Sequence, residues 1–313
     1  MNASATASPD PIEWLGEIQG SLDAVGGKAA SLDRLARLGF LVPPGFCLTT
    51  SAFSAHVAAI AAAKPLSDAL AALPDETARA TVVDLVRDSP TPPPICDALR
   101  TALVRLTAAG ETSLAVRSSA IGEDGKAASF AGLHDTELGL SAGDVEAAVR
   151  RCWSSLWSPA AVAYRRRRAL PFDGASMAVV VQALVPADAA AVVFTRHPVT
   201  GRDDQLVINA VRGLGEPMVS GMATPDAIVV DKASGKVCEF SPGDAGERLV
   251  TIDGSVTRVA DPATGPALAV PVLRDLVSLA MEVERAYGTA VDIEAAFARD
   301  RWYLLQARPI TTV

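Results

Sequence analysis

Two β-rich segments near the C-terminal end combine carboxylates, an amide and an arginine. They are VDIEAAF (291–297) and WYLLQARP (302–309), with a short turn between them. A turn centred on Asp300 pairs Glu294 with Gln306. The same register pairs Asp292 with Arg308, and alternation along the strands then places all four side chains on one face.

This arrangement suits metal and phosphate chemistry. A carboxylate and an amide oxygen on directly opposed residues are ligands that Mg²⁺ accepts. An arginine beside them neutralises the charge of a transferring phosphate. The alternative is a purely structural ion pair between Asp292 and Arg308 on an edge hairpin, and the residues alone leave both interpretations open.

A lysine follows two glycines at the start of a predicted helix. In GKAASLDRLARL (27–38) four apolar residues share one helical face, with a glycine after them as C-cap; they are Ala29, Leu32, Leu35 and Ala36, followed by Gly39. Free backbone N–H groups at a helix start favour an anion. Lys28 is therefore a candidate phosphate ligand, and a solvated lysine at the helix end is the alternative.

An arginine interrupts the apolar strand LAVRSSA (114–120). Burying a guanidinium is costly unless it meets an anion. Arg117 therefore indicates either a bound phosphate or an internal carboxylate. Ser118, Ser119 and the run SFAGLHDT supply small side chains and hydroxyls that let the backbone approach phosphates closely.

The remaining pattern predicts an α+β protein with two lobes. Residues 1–11 are predicted to be a disordered tail, and residues 12–313 one domain with lobes of about 12–190 and 191–313. FLVPPGFCLT is predicted as strand, turn and strand, residues 52–110 as helices, and 145–157 as a helix. The second half carries short strands and one helix, about Val270 to Tyr287.

Composition narrows the class of protein. Half of the 313 residues are hydrophobic and 20% are charged, which is typical of a packed globular protein. A net charge of −8 argues against wholesale nucleic-acid binding. With no apolar run of about 18 residues and no basic, apolar leader, a cytoplasmic protein without a membrane partner is expected. Neither GxxxxGK[ST] nor GxGxxG occurs, so neither a P-loop nor a Rossmann cofactor site is predicted.

The chain resembles the ATP-binding domain of the phosphoenolpyruvate synthase and pyruvate phosphate dikinase family, to which rifampin phosphotransferase also belongs. Matching segments follow the family's order from about residue 12 to 312; they are GGKAASLDRLARLGFLVPPGFCLTTSAF, LAVRSSAIGEDGKAASFAGLHDT, VVVQALV, VVFTRHPVTG, GLGEPMVSGMATPD and DIEAAFARDRWYLLQARPIT. The resemblance implies an ATP-grasp fold with ATP held between two lobes.

The resemblance also assigns roles to residues. Lys28 and Arg117 are expected to contact phosphates, and Arg308 to grip the terminal phosphates; these three are the expected catalytic residues. Glu294 and Gln306 are expected to ligate Mg²⁺. The remaining nucleotide contacts are a flexible loop over the phosphates and a side chain near the base or sugar; they are Gly132 and Thr136 for the loop and Gln182 for the base or sugar.

Three positions depart from the family pattern. Ala191 stands where the family often has glycine, and Ala295 replaces a bulkier residue after DIE. Arg212 lies where a small or aromatic residue is common before GLGE. None of these removes a phosphate or metal ligand, so we expect changes at the rim of the pocket or at a partner surface.

In the family, phosphate passes from ATP to a histidine on a separate domain and then to the acceptor. His56, His134 and His197 lack the small-residue setting of that histidine, and the latter two are interpreted as polar loop residues. The resemblance therefore implies a dikinase-type component that cleaves ATP to AMP, with a phosphohistidine carrier in trans and a small-molecule acceptor such as pyruvate or an antibiotic. The alternatives are a stand-alone ATP-grasp kinase or ligase that releases ADP, and an ATP sensor without turnover.

Overall fold

Two antiparallel sheets, each with its own apolar core, organise the chain. The computed structural model describes residues 10–63, 66–108, 110, 113–120, 136–172, 175–244 and 246–310. Unit 1 comprises Met1–Ala30 and Pro44–Ala183, and unit 2 comprises Ser31–Pro43 and Leu184–Val313. The predicted disordered tail falls almost entirely outside the described residues.

Unit 1 combines strands with helices, and α2 to α5 follow one another between β2 and β3. Its strands are β1 (Ile12–Trp14), β2 (Gly45–Leu48), β3 (Leu114–Ala120), β4 (Thr136–Leu140) and β5 (Met177–Ala183). Its helices are the first part of α1 (Leu22–Arg37), α2 (Thr50–Ala63), α3 (Leu66–Ala71), α4 (Glu76–Asp88), α5 (Pro93–Thr107), α6 (Val145–Ser154), a 3₁₀ turn (Ser155–Trp157) and α7 (Pro159–Arg167).

One face of the sheet of unit 1 packs on the apolar core, and the other, called the polar face for its Arg117 and Gln182, also carries buried apolar residues such as Val180. Its strand order is β1-β2-β5-β3-β4, and all neighbours are antiparallel. Val116 of β3 and Val179 and Val181 of β5 belong to the core that α2, α4, α5 and α6 share. Because side chains alternate along a strand, Arg117 and Gln182 lie on the opposite face.

His56 lies in the core of unit 1 and makes its stability depend on pH. Its ring is fully buried against Trp153, and Nε2 donates to the Val86 carbonyl at 2.8 Å. Burial lowers the pKa of His56 below its usual value; the Val86 bond and Glu146 oppose this effect, and Arg150 adds to it. The folded chain therefore resists a proton that the unfolded chain accepts.

The free energy of unfolding is expected to decrease as the pH falls below about 6.5, the ordinary pKa of histidine. Above that pH the ring is neutral in both states, so its contribution is fully present. Urea titrations at about pH 7.5 and about pH 5.5 measure the effect, with His56→Gln as the variant that does not titrate. An equally steep pH dependence in His56→Gln would contradict this account.

Unit 2 contains the strand-rich half of the chain and the end of α1. Its strands are β6 (Ala189–Phe194), β7 (Gln205–Arg212), β8 (Asp226–Asp231), β9 (Val237–Ser241), β10 (Glu247–Ile252), β11 (Ser255–Ala260), β12 (Val291–Ala298) and β13 (Arg301–Pro309). Its further helices are α8 (Glu216–Val219) and α9 (Val270–Tyr287).

The main sheet of unit 2 has the order β13-β12-β6-β7-β8-β9, and β10 pairs with β11 in a separate hairpin. Ile293 of β12 and Leu304 of β13 pack into an apolar core with Leu276 of α9 and Leu35 of α1. All neighbouring strands are antiparallel. Mixed α/β structure with antiparallel sheets agrees with the predicted α+β class.

Most predicted elements are present, with two differences. The helix expected from Val270 to Tyr287 has those bounds. The expected first strand of FLVPPGFCLT is wrong: residues 40–44 form no strand, and Phe40 and Val42 instead pack irregularly on the core of unit 2. The sequence does not predict the strands β1, β4, β9, β10 and β11.

Two of the departures from the family pattern lie opposite each other. Ala191 of β6 pairs with Ala295 of β12, and both are buried in the core of unit 2. Because both side chains lie in the core, the expectation that these two departures change the rim of the pocket or a partner surface is wrong.

No helix in the described ranges is both long enough and apolar enough to cross a membrane.

Candidate functional site

Gly26, in the glycine pair before Lys28, has non-helical backbone angles, φ 74° and ψ 170°, and divides α1 (Leu22–Arg37) at a kink into two helical segments. The second segment begins just before Lys28, as the sequence predicts. A Cβ atom on Gly26 would lie 2.1 Å from the Ser119 carbonyl oxygen. Glycine is therefore required here both for its backbone conformation and for this close approach.

The Ser119 hydroxyl replaces the helical hydrogen bond that the kink breaks. In a regular helix the Ala29 N–H donates to the Val25 carbonyl. Here the Ala29 N–H donates to Ser119 Oγ at 3.1 Å, and Ser119 Oγ donates to the Val25 carbonyl at 2.7 Å. The hydroxyl is buried, and both of its hydrogen bonds go to the backbone of α1.

Lys28 follows this kink and is buried rather than solvated. Its Nζ donates to the Ser118 carbonyl at 2.9 Å, and only 9% of the residue is exposed. The ammonium is thereby held beside β3, at the residue that directly follows Arg117. The alternative of a solvated lysine at the helix end does not apply.

Arg117, Thr136 and Gln182 come together on the polar face of unit 1. Arg117 of β3 pairs directly with Thr136 of β4 and with Val180 of β5. Gln182 is one diagonal position away, because it pairs with Ala115. Diagonal neighbours are about 7–8 Å apart, within reach of long side chains. Gly132, expected in the loop before β4, lies outside the described residues.

In unit 2 the predicted pairing of the C-terminal hairpin is confirmed. Glu294 is opposite Gln306, and Asp292 is opposite Arg308. Gln306 is 8% exposed, while Glu294 is half-buried. These residues lie off the apolar face that Ile293 presents to the core.

A β-bulge, not the turn, produces this register. The loop has only two residues, Arg299 and Asp300, with φ of 51° and 56°, as a type I′ turn requires. That turn pairs Ala295 with Leu304, and continuing the same register would place Glu294 opposite Leu305. An extra residue at the bulge, Leu305, shifts the pairing so that Glu294 meets Gln306 instead.

Arg308 and Asp292 form the ion pair that had been the alternative to a phosphate site. Both Nε and Nη2 of Arg308 donate to Asp292 Oδ2, each at 2.9 Å. The Asp292 side chain is 13% exposed and that of Arg308 29%. The pair orients the guanidinium on the face that carries Glu294 and Gln306, so the structural role and a phosphate role are compatible.

Residues 22–313 match the family described as pyruvate phosphate dikinase, AMP/ATP-binding domain. The chain belongs to this family. Pyruvate phosphate dikinase is an ATP-dependent phosphotransferase, so this is an ATP-binding domain of a phosphotransferase family.

The pyruvate phosphate dikinase-type domain is similar to parts of larger characterised proteins. The prodigiosin synthesizing transferase PigC of Serratia marcescens is 40% identical over 303 residues, which cover 92% of this chain and 32% of PigC. Phosphoenolpyruvate synthase of Pyrococcus furiosus is 31% identical over 357 residues, 96% of this chain and 44% of that enzyme. The Aeropyrum pernix phosphoenolpyruvate synthase is 34% identical over 348 residues, which cover 96% of this chain and 42% of that enzyme. The chain thus spans less than half the length of these relatives.

The hairpin of this dikinase-type domain offers donor atoms of the kind that bind magnesium together with substrate phosphates. The carboxylate of Glu294 and the amide oxygen of Gln306 are hard donors on opposed residues. Across the part of the chain that the structure describes, no three or more His, Cys, Asp or Glu side chains form a cluster. Mg²⁺ commonly keeps several waters and is bound through one or two carboxylates and substrate phosphates, so the donor set fits it.

The described histidines have structural contacts. His197 Nδ1 accepts from the backbone N–H groups of Val199 and Thr200 at 3.2 and 3.3 Å. This contact holds a turn, in keeping with a polar loop histidine. His56 lies in the core, and His134 lies outside the described residues.

A cavity of about 340 Å³ in unit 2 is lined by other residues, among them Arg212, Arg248 and Asp261. None of the described residues predicted as ligands lines it. Arg212 donates to Asp261 at 3.0 Å and to the Gly265 and Pro266 carbonyls. This departure from the family pattern therefore ties the end of β7 to the loop before α9.

Proposed function

We propose that this chain is the Mg-dependent ATP-binding component of a dikinase-type phosphotransferase. It cleaves ATP to AMP, and phosphate passes through a histidine carrier in trans to a small-molecule acceptor such as pyruvate or an antibiotic. Membership of the AMP/ATP-binding family supports the nucleotide. The observation that carries the proposal is the hairpin register, which sets a carboxylate, an amide and an arginine on one face.

For the nucleotide, we propose an ATP-grasp arrangement to which both units contribute. Lys28 and Arg117 contact the phosphates, and Gln182 lies near the base or sugar. Gly132 belongs to the loop over the phosphates, and Thr136 follows that loop as the first residue of β4 rather than lying within it. Support comes from the polar face of unit 1, where the Lys28 ammonium is fixed beside β3 and Arg117 is paired with Thr136.

For the metal, we propose that Glu294 and Gln306 hold Mg²⁺ and that Arg308 binds the terminal phosphates. Bound there, the ion would supply charge neutralisation on the phosphate oxygens. Asp292 keeps the Arg308 guanidinium oriented through two hydrogen bonds. An arginine fixed in this way loses little conformational freedom when phosphate arrives.

The carrier and the acceptor remain proposals about the whole protein. The matched relatives extend well beyond the 32–44% of their length that this chain covers. Two of them are named phosphoenolpyruvate synthases, which favours pyruvate as the acceptor. We propose the cytoplasm as the location.

The nucleotide product tests this function. The purified chain is incubated with Mg·ATP, with and without a soluble extract from its source, and AMP and ADP are separated. AMP that appears only when both components are present is the expected result. ADP formed with a directly modified small molecule would contradict the dikinase proposal and indicate a stand-alone kinase or ligase. ATP binding without any turnover would indicate either a sensor or a partner that the extract lacks.

A further inference from the structure

Strand β13 has two conceivable registers beyond Leu305, and the structure has the one that includes the bulge. With the bulge, Gln306 is opposite Glu294. Without it, the two-residue turn would move every later residue of β13 by one position. Because a one-residue slip moves side chains to the other face of a sheet, Gln306 and Arg308 would then turn toward the core. The register of β13 beyond the bulge must therefore be stabilised by contacts with other segments of the chain.

The Ser31 hydroxyl holds β13 at Ala307, the residue between Gln306 and Arg308. β13 is the edge strand of its sheet, so its outward backbone groups need partners other than a strand. The Ala307 N–H donates to Ser31 Oγ at 3.3 Å, and Ser31 Oγ donates to the Ala307 carbonyl. One hydroxyl thus satisfies both backbone groups of a single edge residue.

Tyr287, the last residue of α9, supports this contact. Its hydroxyl lies 3.4 Å from Ser31 Oγ and 3.5 Å from the Ala307 carbonyl oxygen. The Arg34 guanidinium, one turn after Ser31 on α1, stacks on the Tyr287 ring with Cζ 3.9 Å from the ring centroid. Two helices therefore converge on Ala307 from the open side of the strand.

We propose that Ser31, supported by Tyr287, is a positioning residue that fixes the register of β13 beyond the bulge. It thereby keeps Gln306 opposite Glu294 and Arg308 opposite Asp292. The inference rests on the proposed function, because Gln306 and Arg308 are the proposed metal and phosphate ligands. Ser31 itself touches neither metal nor nucleotide in this proposal.

The test is the affinity for ATP with magnesium and with EDTA, measured by calorimetry on the whole chain. Ser31→Ala is expected to weaken Mg·ATP binding about 10-fold, the loss typical when a residue that orients a metal ligand is removed. Binding of metal-free ATP should weaken by a smaller factor, because it loses the contact with Arg308 but has no metal contact to lose. Ser31→Thr retains the hydroxyl and should restore binding, and Tyr287→Phe should give a smaller loss than Ser31→Ala.

Ser155→Ala is the matched control, because Ser155 Oγ also donates to a backbone carbonyl, that of Cys152, at 2.7 Å. It lies outside the proposed site and should leave Mg·ATP binding unchanged. Amide hydrogen exchange gives a second readout: the Ala307 N–H should exchange faster in Ser31→Ala than in the wild type.

Two outcomes would overturn the inference and can be told apart. If the wild type binds Mg·ATP and folded Ser31→Ala binds it equally well, only the positioning role is wrong. If the wild type itself does not bind Mg·ATP, the proposed function is wrong and this inference is overturned with it.

Discussion

Glu294→Gln is expected to abolish the tightening of ATP binding by magnesium. The exchange keeps the size of the side chain and its position opposite Gln306, but it removes the carboxylate that a hard cation prefers. We expect Mg·ATP affinity to fall by at least about 100-fold, since even residues behind a metal ligand contribute 10–100-fold. Affinity for ATP in EDTA should be unchanged. Calorimetric titrations under the two conditions measure both values.

Glu239→Gln on the exposed strand β9 is the control, because it makes the same charge change elsewhere in the same sheet. It should bind Mg·ATP like the wild type. Glu294→Gln is preferred to Arg308→Ala, which would also leave the largely buried Asp292 carboxylate without its arginine. Wild-type magnesium dependence in folded Glu294→Gln would contradict the assignment of this metal ligand.

Gly26→Ala is expected to destabilise unit 1 and to abolish ATP binding. The new Cβ would lie 2.1 Å from the Ser119 carbonyl oxygen, and φ is 74°. Strain and overpacking together cost about 3 kcal/mol or more. Relief of the clash moves α1 away from β3, and Lys28, two residues further on, leaves the Ser118 carbonyl. Urea unfolding and ATP titration measure the two losses.

Gly39→Ala separates the clash from the backbone strain. Gly39 also has a positive φ, 86°, but a Cβ atom there meets nothing within 4 Å. It should cost only about 1–2 kcal/mol of conformational strain and leave ATP binding intact. Equal losses of stability in the two variants would show that the contact with Ser119 is unimportant.

The sequence predicted the parts of the site that follow from local periodicity. Strand alternation and a short turn were enough to pair Glu294 with Gln306, and helical spacing was enough to predict α9. The structure nevertheless produces the pairing of Glu294 with Gln306 in a different way from the one predicted. The turn is centred between Arg299 and Asp300 instead of on Asp300, which alone would place Glu294 opposite Leu305. The bulge at Leu305 restores the predicted pairing. A bulge is set by what packs against the strand, so periodicity does not reveal it.

Contacts between distant segments account for what the sequence did not predict. The Ser119 hydroxyl completes a helix about 90 residues earlier in the chain, and no local pattern signals such a bond. The apolar side chains of Phe40 and Val42 predict a strand, yet tertiary packing partly buries them without one. Strand β9 was missed because all five of its residues are exposed, which removes the alternation that marks a strand.

The most direct test of the account is a crystal structure of the chain with magnesium and a non-hydrolysable ATP analogue. The account predicts phosphates in contact with Lys28, Arg117 and Arg308, and a metal ion bound by Glu294 and Gln306. A nucleotide bound elsewhere, for example in the cavity lined by Arg212 and Arg248, with the hairpin carboxylates far from any phosphate, would contradict it.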